Sequence, residues 1–173
     1  MSPTGFCNTL SLDVFGANAD IDGMSDLYHN RVLELAANIP GLDPIETPEG
    51  SVEKVSRICG STVRVDVRLN EAGTHVEAMS VDPKACALGQ AATAILVEGA
   101  VGAEISEIIA ARDALKSMLK DRAEAPKGRF WELRHLAGVA DYPPRHTSTM
   151  LAFEAAIAAI NEALTNRQSA PAP

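Results

Sequence analysis

The sequence predicts an α+β fold, a small antiparallel sheet with helices packed against it. Three observations carry that expectation. Val63, Val65, Val67 and Leu69 alternate with Thr62, Arg64, Asp66 and Arg68, the period of a strand with one dry and one wet face. Glu71-Ala72-Gly73-Thr74 follows as a hairpin turn. After Pro83 the pattern turns helical, and strands followed by helices place the helices on one face of the sheet.

Taken in order, residues 1–23 are rich in Gly, Asn, Asp and Ser without a helical period, and are expected to be a flexible extension. Met24 could equally be the true start. Ser25 or Asp26 is a plausible N-cap for a helix carrying Tyr28, Val32, Leu35 and Ile39 at helical spacing. Pro40, Pro44 and Pro48, with Gly41 and Gly50, end that helix in an irregular connector. Ser51 to Ile58 reads as the first strand, before Cys59, and His75 to Val81 as the strand returning from the hairpin.

Residues 86–98 are so rich in Ala, with Leu88, Ile95 and Leu96, that this helix should be buried on most sides. Gly99 and Gly102 are expected to end it. Residues 104–120 are amphipathic, with Ile105, Ile108, Leu115 and Leu119 inward; Glu104 and Glu107 open the helix and Lys116 and Lys120 close it, complementing the dipole. Ala123 to Gly128 reads as a linker, Trp131 to Leu136 as a short helix, and Pro143-Pro144 as a stop. The final helix is expected to begin near Thr147 or Ser148 and to bury Met150, Phe153, Ile157, Ile160 and Leu164. One domain over residues 24–165 results, with a disordered tail at 166–173.

A chain of 173 residues is about one domain plus tails. With 46% hydrophobic residues but 4% aromatic ones, its core must be largely aliphatic. The net charge of -8 argues against sequence-independent binding to nucleic acid, which relies on Lys and Arg neutralising phosphates. No apolar run approaches the roughly 20 residues that cross a bilayer, and the N-terminus lacks a signal-peptide pattern. A cytoplasmic protein without a membrane partner is the expectation.

Chemistry rests on two of the three cysteines, Cys7 lying in the N-terminal stretch. Cys86 opens a helix, where unpaired backbone N–H groups and the dipole favour thiolate, and Lys84 acts in the same sense. Read alone, it is equally a buried structural cysteine. Cys59 precedes Gly60 at a strand junction, where backbone can approach the sulfur closely, and is just as ambiguous alone. No C-x-x-C spacing links the pair. His146, in a Pro-Pro-Arg-His-Thr-Ser segment, is a candidate ligand or an exposed loop histidine. Ser148 lacks the base and G-x-S-x-G context of a nucleophile, so N-capping is its expected role.

The order of these features resembles the NifU/IscU/SufU family of iron–sulfur cluster assembly scaffolds. The resemblance is carried by Leu27-Tyr28 in a first helix, Cys59-Gly60, the hairpin at Gly73, Lys84-Ala85-Cys86-Ala87-Leu88-Gly89, and a Pro-x-Arg segment leading into Met150-Leu151-Ala152-Phe153. It covers about residues 24 to 165 and implies a curved three-stranded antiparallel sheet with four to five helices. It further implies a non-enzymatic scaffold on which Cys59 and Cys86 accept sulfur from a cysteine desulfurase. These cysteines would hold a labile [2Fe–2S] cluster or iron, in some branches zinc, for apo iron–sulfur acceptor proteins. Two positions depart from the family pattern. Ser61 stands where the family has an aspartate, and Ser148 where it has a third cysteine. The histidine that one branch places just before that cysteine is Thr147 here, with His146 one place earlier. A cluster takes four protein ligands. A homodimer sharing four cysteines, a capping thiol from outside, or Cys7 folding back would each complete the set.

Overall fold

The computed structural model describes residues 29–169. Cys7, Met24, the expected N-cap at Ser25 or Asp26, and the Leu27-Tyr28 pair lie outside the described residues. Helix α1 (Asn30–Ala37) presents Val32 and Leu35 to the core and ends at Asn38, ahead of Pro40. Three strands follow, β1 (Gly50–Val55), β2 (Thr62–Leu69) and β3 (Val76–Lys84), paired antiparallel in the order β1-β2-β3. In β2 the alternation read from the sequence is realised: Val63, Val65, Val67 and Leu69 are buried, while Arg64 is exposed.

Two helices pack on this sheet, α2 (Ala87–Ala100) and the long α4 (Pro143–Ser169), and α3 (Ile105–Asp121) and a 3-10 segment (Gly128–Asp141) pack against them in turn. Their small residues permit close approach. Ala91, Ala92, Ala94, Ala155, Ala156 and Ala159 are buried, so α2 and α4 meet through short side chains. Phe130 and Phe153 add volume to this largely aliphatic core, packing edge-to-face at 5.9 Å between ring centroids. Glu104 and Glu107 form a reciprocal capping box at the start of α3.

The structure departs from the sequence-based expectations in several places. The first strand stops at Val55, three residues short of Ile58, because the chain turns to present Cys59. Gly99 is inside α2 rather than ending it: it lies beneath the Phe130 ring, where a Cβ would come within 2.5 Å. Pro143-Pro144 do not stop a helix but begin one. The first four N–H groups of a helix have no intrahelical acceptor, so proline costs nothing at those positions. Consequently Ser148 is not an N-cap but a buried residue in the second turn of α4, its Oγ donating to the Arg145 carbonyl at 3.0 Å. At the other end α4 continues to Ser169, and Arg167 ties it to the sheet through Glu49 and the Leu69 and Asn70 carbonyls.

Candidate functional site

Strand register gathers the chemistry at one end of the sheet. Val55, the last residue of β1, pairs with Thr62, the first of β2, and Thr62 pairs with Lys84, the last of β3. The β1–β2 turn and the entry to α2 therefore leave from the same edge. The turn is closed by two backbone bonds, Ser56 N–H to the Ser61 carbonyl and Gly60 N–H to the Ser56 carbonyl, each 2.8 Å. Gly60 holds φ +71° here, a conformation that glycine adopts without steric cost. Cys59 is exposed on this loop while Ser56 and Ser61 beneath it are buried.

Those serines act directly on the sulfur. Cys59 Sγ lies 3.3 Å from Ser56 Oγ and 3.1 Å from Ser61 Oγ. Hydrogen bonding with Ser56, then with Ser61 and the Ser61 N–H, brings the Cys59 thiol down from 9.0 to about 7 against a smaller opposing effect of burial. The Ser148 hydroxyl contributes in the same direction.

Cys86 occupies the N-cap position of α2, half-buried, with its Sγ 3.7 Å from Ser148 Oγ. Gly89 makes this contact feasible. A Cβ there would come within 3.1 Å of the Ser148 carbonyl and 2.9 Å of the Ala85 Cβ, so its absence lets the start of α2 approach α4. Lys84 lies beside the site with its Nζ 3.2 Å from Asp82, and this ion pair is exposed. Ser148 thus touches the Cys86 sulfur, and its hydroxyl also favours the Cys59 thiolate.

His146 is placed differently. It lies inside α4 rather than in a loop, half-buried, with Nε2 3.1 Å from the Val139 carbonyl. Among the described residues no three His, Cys, Asp or Glu side chains gather into a group that could hold a metal, so the structure does not join His146 to the two cysteines as a third ligand. The sequence reading missed the role of Ser56 altogether, treated Ser61 as a lost ligand, and gave Ser148 as an N-cap at a lost ligand position. The one available signal was their presence within three residues of Cys59 or at the start of the last helix. What this site can offer chemically is two sulfurs, one an exposed thiol brought down to about 7, held among serine hydroxyls.

Alkylation of Cys59 by iodoacetamide, followed by peptide mass spectrometry across pH, is expected to show a midpoint near 7. Ser56→Ala and Ser61→Ala should each move it upward, because loss of a donor disfavours the thiolate. An unaltered chain titrating at 9.0 would contradict the hydroxyl shell.

Comparisons with known proteins agree with this architecture. The family model for the NifU-like N terminal domain matches residues 27–168. The crystal structure of a nitrogen-fixing NifU-like protein (N-terminal) from Brucella abortus is 36% identical and superimposes with a TM-score of 0.79, covering 86% of this chain and 99% of that one. A putative iron–sulfur cluster assembly scaffold protein for the SUF system from Fervidobacterium islandicum AW-1 shares the fold at 18% identity and TM-score 0.71, covering 79% of this chain and 98% of that one. Among curated proteins no relative matches. No helix among the described residues is long and apolar enough to cross a membrane. The three-stranded antiparallel sheet with helices on it is the fold that the resemblance implied, and the chain belongs to the NifU-like N terminal domain family.

Proposed function

We propose that this protein is a non-enzymatic scaffold for iron–sulfur cluster assembly, with Cys59 and Cys86 holding iron and sulfide as a labile [2Fe–2S] cargo. The observation that supports this reading is that the turn carrying Cys59 and the helix start carrying Cys86 leave the same end of the sheet, with Ser148 Oγ 3.7 Å from the Cys86 sulfur. Family membership supports the same role. Thiolate is the form that binds iron, and a thiol brought down to about 7 supplies it near neutral pH at little energetic cost. Ser61 lies against the Cys59 sulfur, while Ser148 accepts from the Cys86 thiol and donates to the Arg145 carbonyl, and neither supplies a thiolate or carboxylate for metal. Neutral hydroxyls are weak ligands for iron, so the chain contributes half of a four-ligand set and the rest comes from a second chain or another thiol. Such a cluster is easily passed on to apo acceptor proteins.

Sulfur would arrive from a cysteine desulfurase. The Cys59 thiolate attacks the outer sulfur of the donor persulfide, the donor S–S bond breaks, and the donor cysteine leaves as thiolate while Cys59 becomes the persulfide. This transfer is redox-neutral, and an external two-electron reductant then releases the persulfide sulfur as the sulfide of the cargo. A second reading, sulfur relay or an adapter role without a cluster, is favoured by the hydroxyls at the two ligand positions. A zinc-holding variant would need the same outside ligands, since closed zinc sites take four.

Anaerobic incubation with ferric iron, sulfide and a thiol is expected to produce visible charge-transfer absorbance that disappears in Cys59→Ala and in Cys86→Ala. A colourless, iron-free product would overturn cluster holding. A desulfurase-dependent persulfide on Cys59 in that colourless protein would establish the relay.

A further inference from the structure

We infer that the acidic N-terminal segment, residues 13–28, docks on a basic, tryptophan-floored concavity formed by the linker after α3 and the 3-10 segment. This concavity, of about 440 Å³, is lined by Ala125, Pro126, Lys127, Gly128, Trp131 and Arg134. Its floor is built and its charge is unspent. The Arg134 guanidinium lies over the Trp131 ring, 4.3 Å from the centroid, and Trp131 is 42% exposed. Neighbouring arginines are already engaged: Arg31 with Glu132, Arg122 with Asp141, and Arg129 with Glu107. Lys127 and Arg134, by contrast, have no ion-pair partner among the described residues. Because Arg31 takes up Glu132, that carboxylate does not offset Arg134. An unpaired cationic pair beside an exposed indole is unusual on a chain of net charge -8.

The occupant is indicated by where the preceding chain enters. His29, the first described residue, packs edge-to-face on His135 with ring centroids 5.3 Å apart, and its Nε2 lies 3.0 Å from the His135 carbonyl. His135 in turn packs on Trp131 at 6.0 Å. Residues 1–28 therefore join the fold beside this concavity. They contain Asp13, Asp20, Asp22 and Asp26 and no Lys or Arg, which complements the cationic pair. Reach is not limiting: Asp26 is three residues from His29, about 10 Å of extended chain. Phe15 and Ile21 are apolar groups in the same stretch suited to the Trp131 face.

Trp131 is the sole tryptophan of the chain, so its fluorescence reports on this one place. Acrylamide quenching is measured on the full chain and on the Asp20→Asn/Asp22→Asn/Asp26→Asn variant. The quenching constant should rise about twofold in the variant, and likewise for the unaltered chain in roughly 1 M salt, where screening shrinks the Debye length to about 3 Å. The aspartate arm is the decisive one, since substituting Arg134 would change the indole's surroundings directly. A second readout is carbodiimide coupling in a mixture of isotopically heavy and light full chains. Same-chain links from Lys127 to Asp20, Asp22 or Asp26 are expected. Heavy-to-light links alone would assign the concavity to a second copy and overturn the proposal. Equal quenching with no Lys127 coupling would overturn it too.

Discussion

Gly50→Ala is expected to be the most destabilising single-methyl addition in the described fold. A Cβ at Gly50 would sit 1.9 Å from the Ala159 carbonyl oxygen and 2.9 Å from the Ala163 nitrogen. Both are backbone atoms of α4, so no side-chain rotation relieves the overlap, and β1 must part from the helix. The expected cost is about 3 kcal/mol, the upper range for overpacking. For a domain of this size that lowers Tm by roughly 10 °C. Gly60→Ala is the instructive contrast: nothing lies within 4 Å of its Cβ, and only the φ of +71° opposes the change. That should cost about 1 kcal/mol. Equal effects in thermal unfolding would contradict the close contact between β1 and α4.

Ser148→Cys is expected to have the largest effect on metal binding, in the opposite direction. The residue is fully buried, lies 3.7 Å from Cys86 Sγ, and its hydroxyl acts on Cys59. A sulfur in its place converts two thiolates into three within one chain. Zinc affinity, read by competition with a chromophoric chelator, should tighten about 100-fold, or ~2.7 kcal/mol. Stability should fall slightly, by about 1 kcal/mol, through loss of the bond to the Arg145 carbonyl. Ser106→Cys, beside the α3 capping box at the hairpin end of the sheet, should leave affinity unchanged. An unaltered zinc affinity in Ser148→Cys would place Ser148 outside the metal path.

The framework was legible where local pattern and tertiary outcome coincide. The alternation in β2, the hairpin at Gly73 and the opening of α2 at Cys86 all follow from periodicity and turn chemistry, and each stands in the structure. The neighbourhood of the two cysteines was legible only through resemblance, because Cys59 and Cys86 share no short spacing. What could not be read were features set by three-dimensional approach. Two consecutive prolines look like a stop until the helix is seen to need no N–H groups at its start. That single inversion moved Ser148 from an exposed cap into the interior, against the Cys86 sulfur. Likewise Gly99 resembles a terminator until Phe130 is found above it. The aim of the Ser56 and Ser61 hydroxyls at Cys59 depends on a turn closed by their own backbone groups, which no linear pattern announces. The N-cap expected at Ser25 or Asp26, and Cys7, lie outside the described residues, and the same is true of the tail beyond Ser169.

Native mass spectrometry of the anaerobically loaded protein tests the shared-serine site most directly. It weighs iron and inorganic sulfide per chain while preserving any pairing of chains. The account predicts iron and sulfide on the unaltered protein, carried by paired chains or with an added thiol, and neither on Cys59→Ala or Cys86→Ala. Equal loading of the unaltered protein and both variants would contradict it.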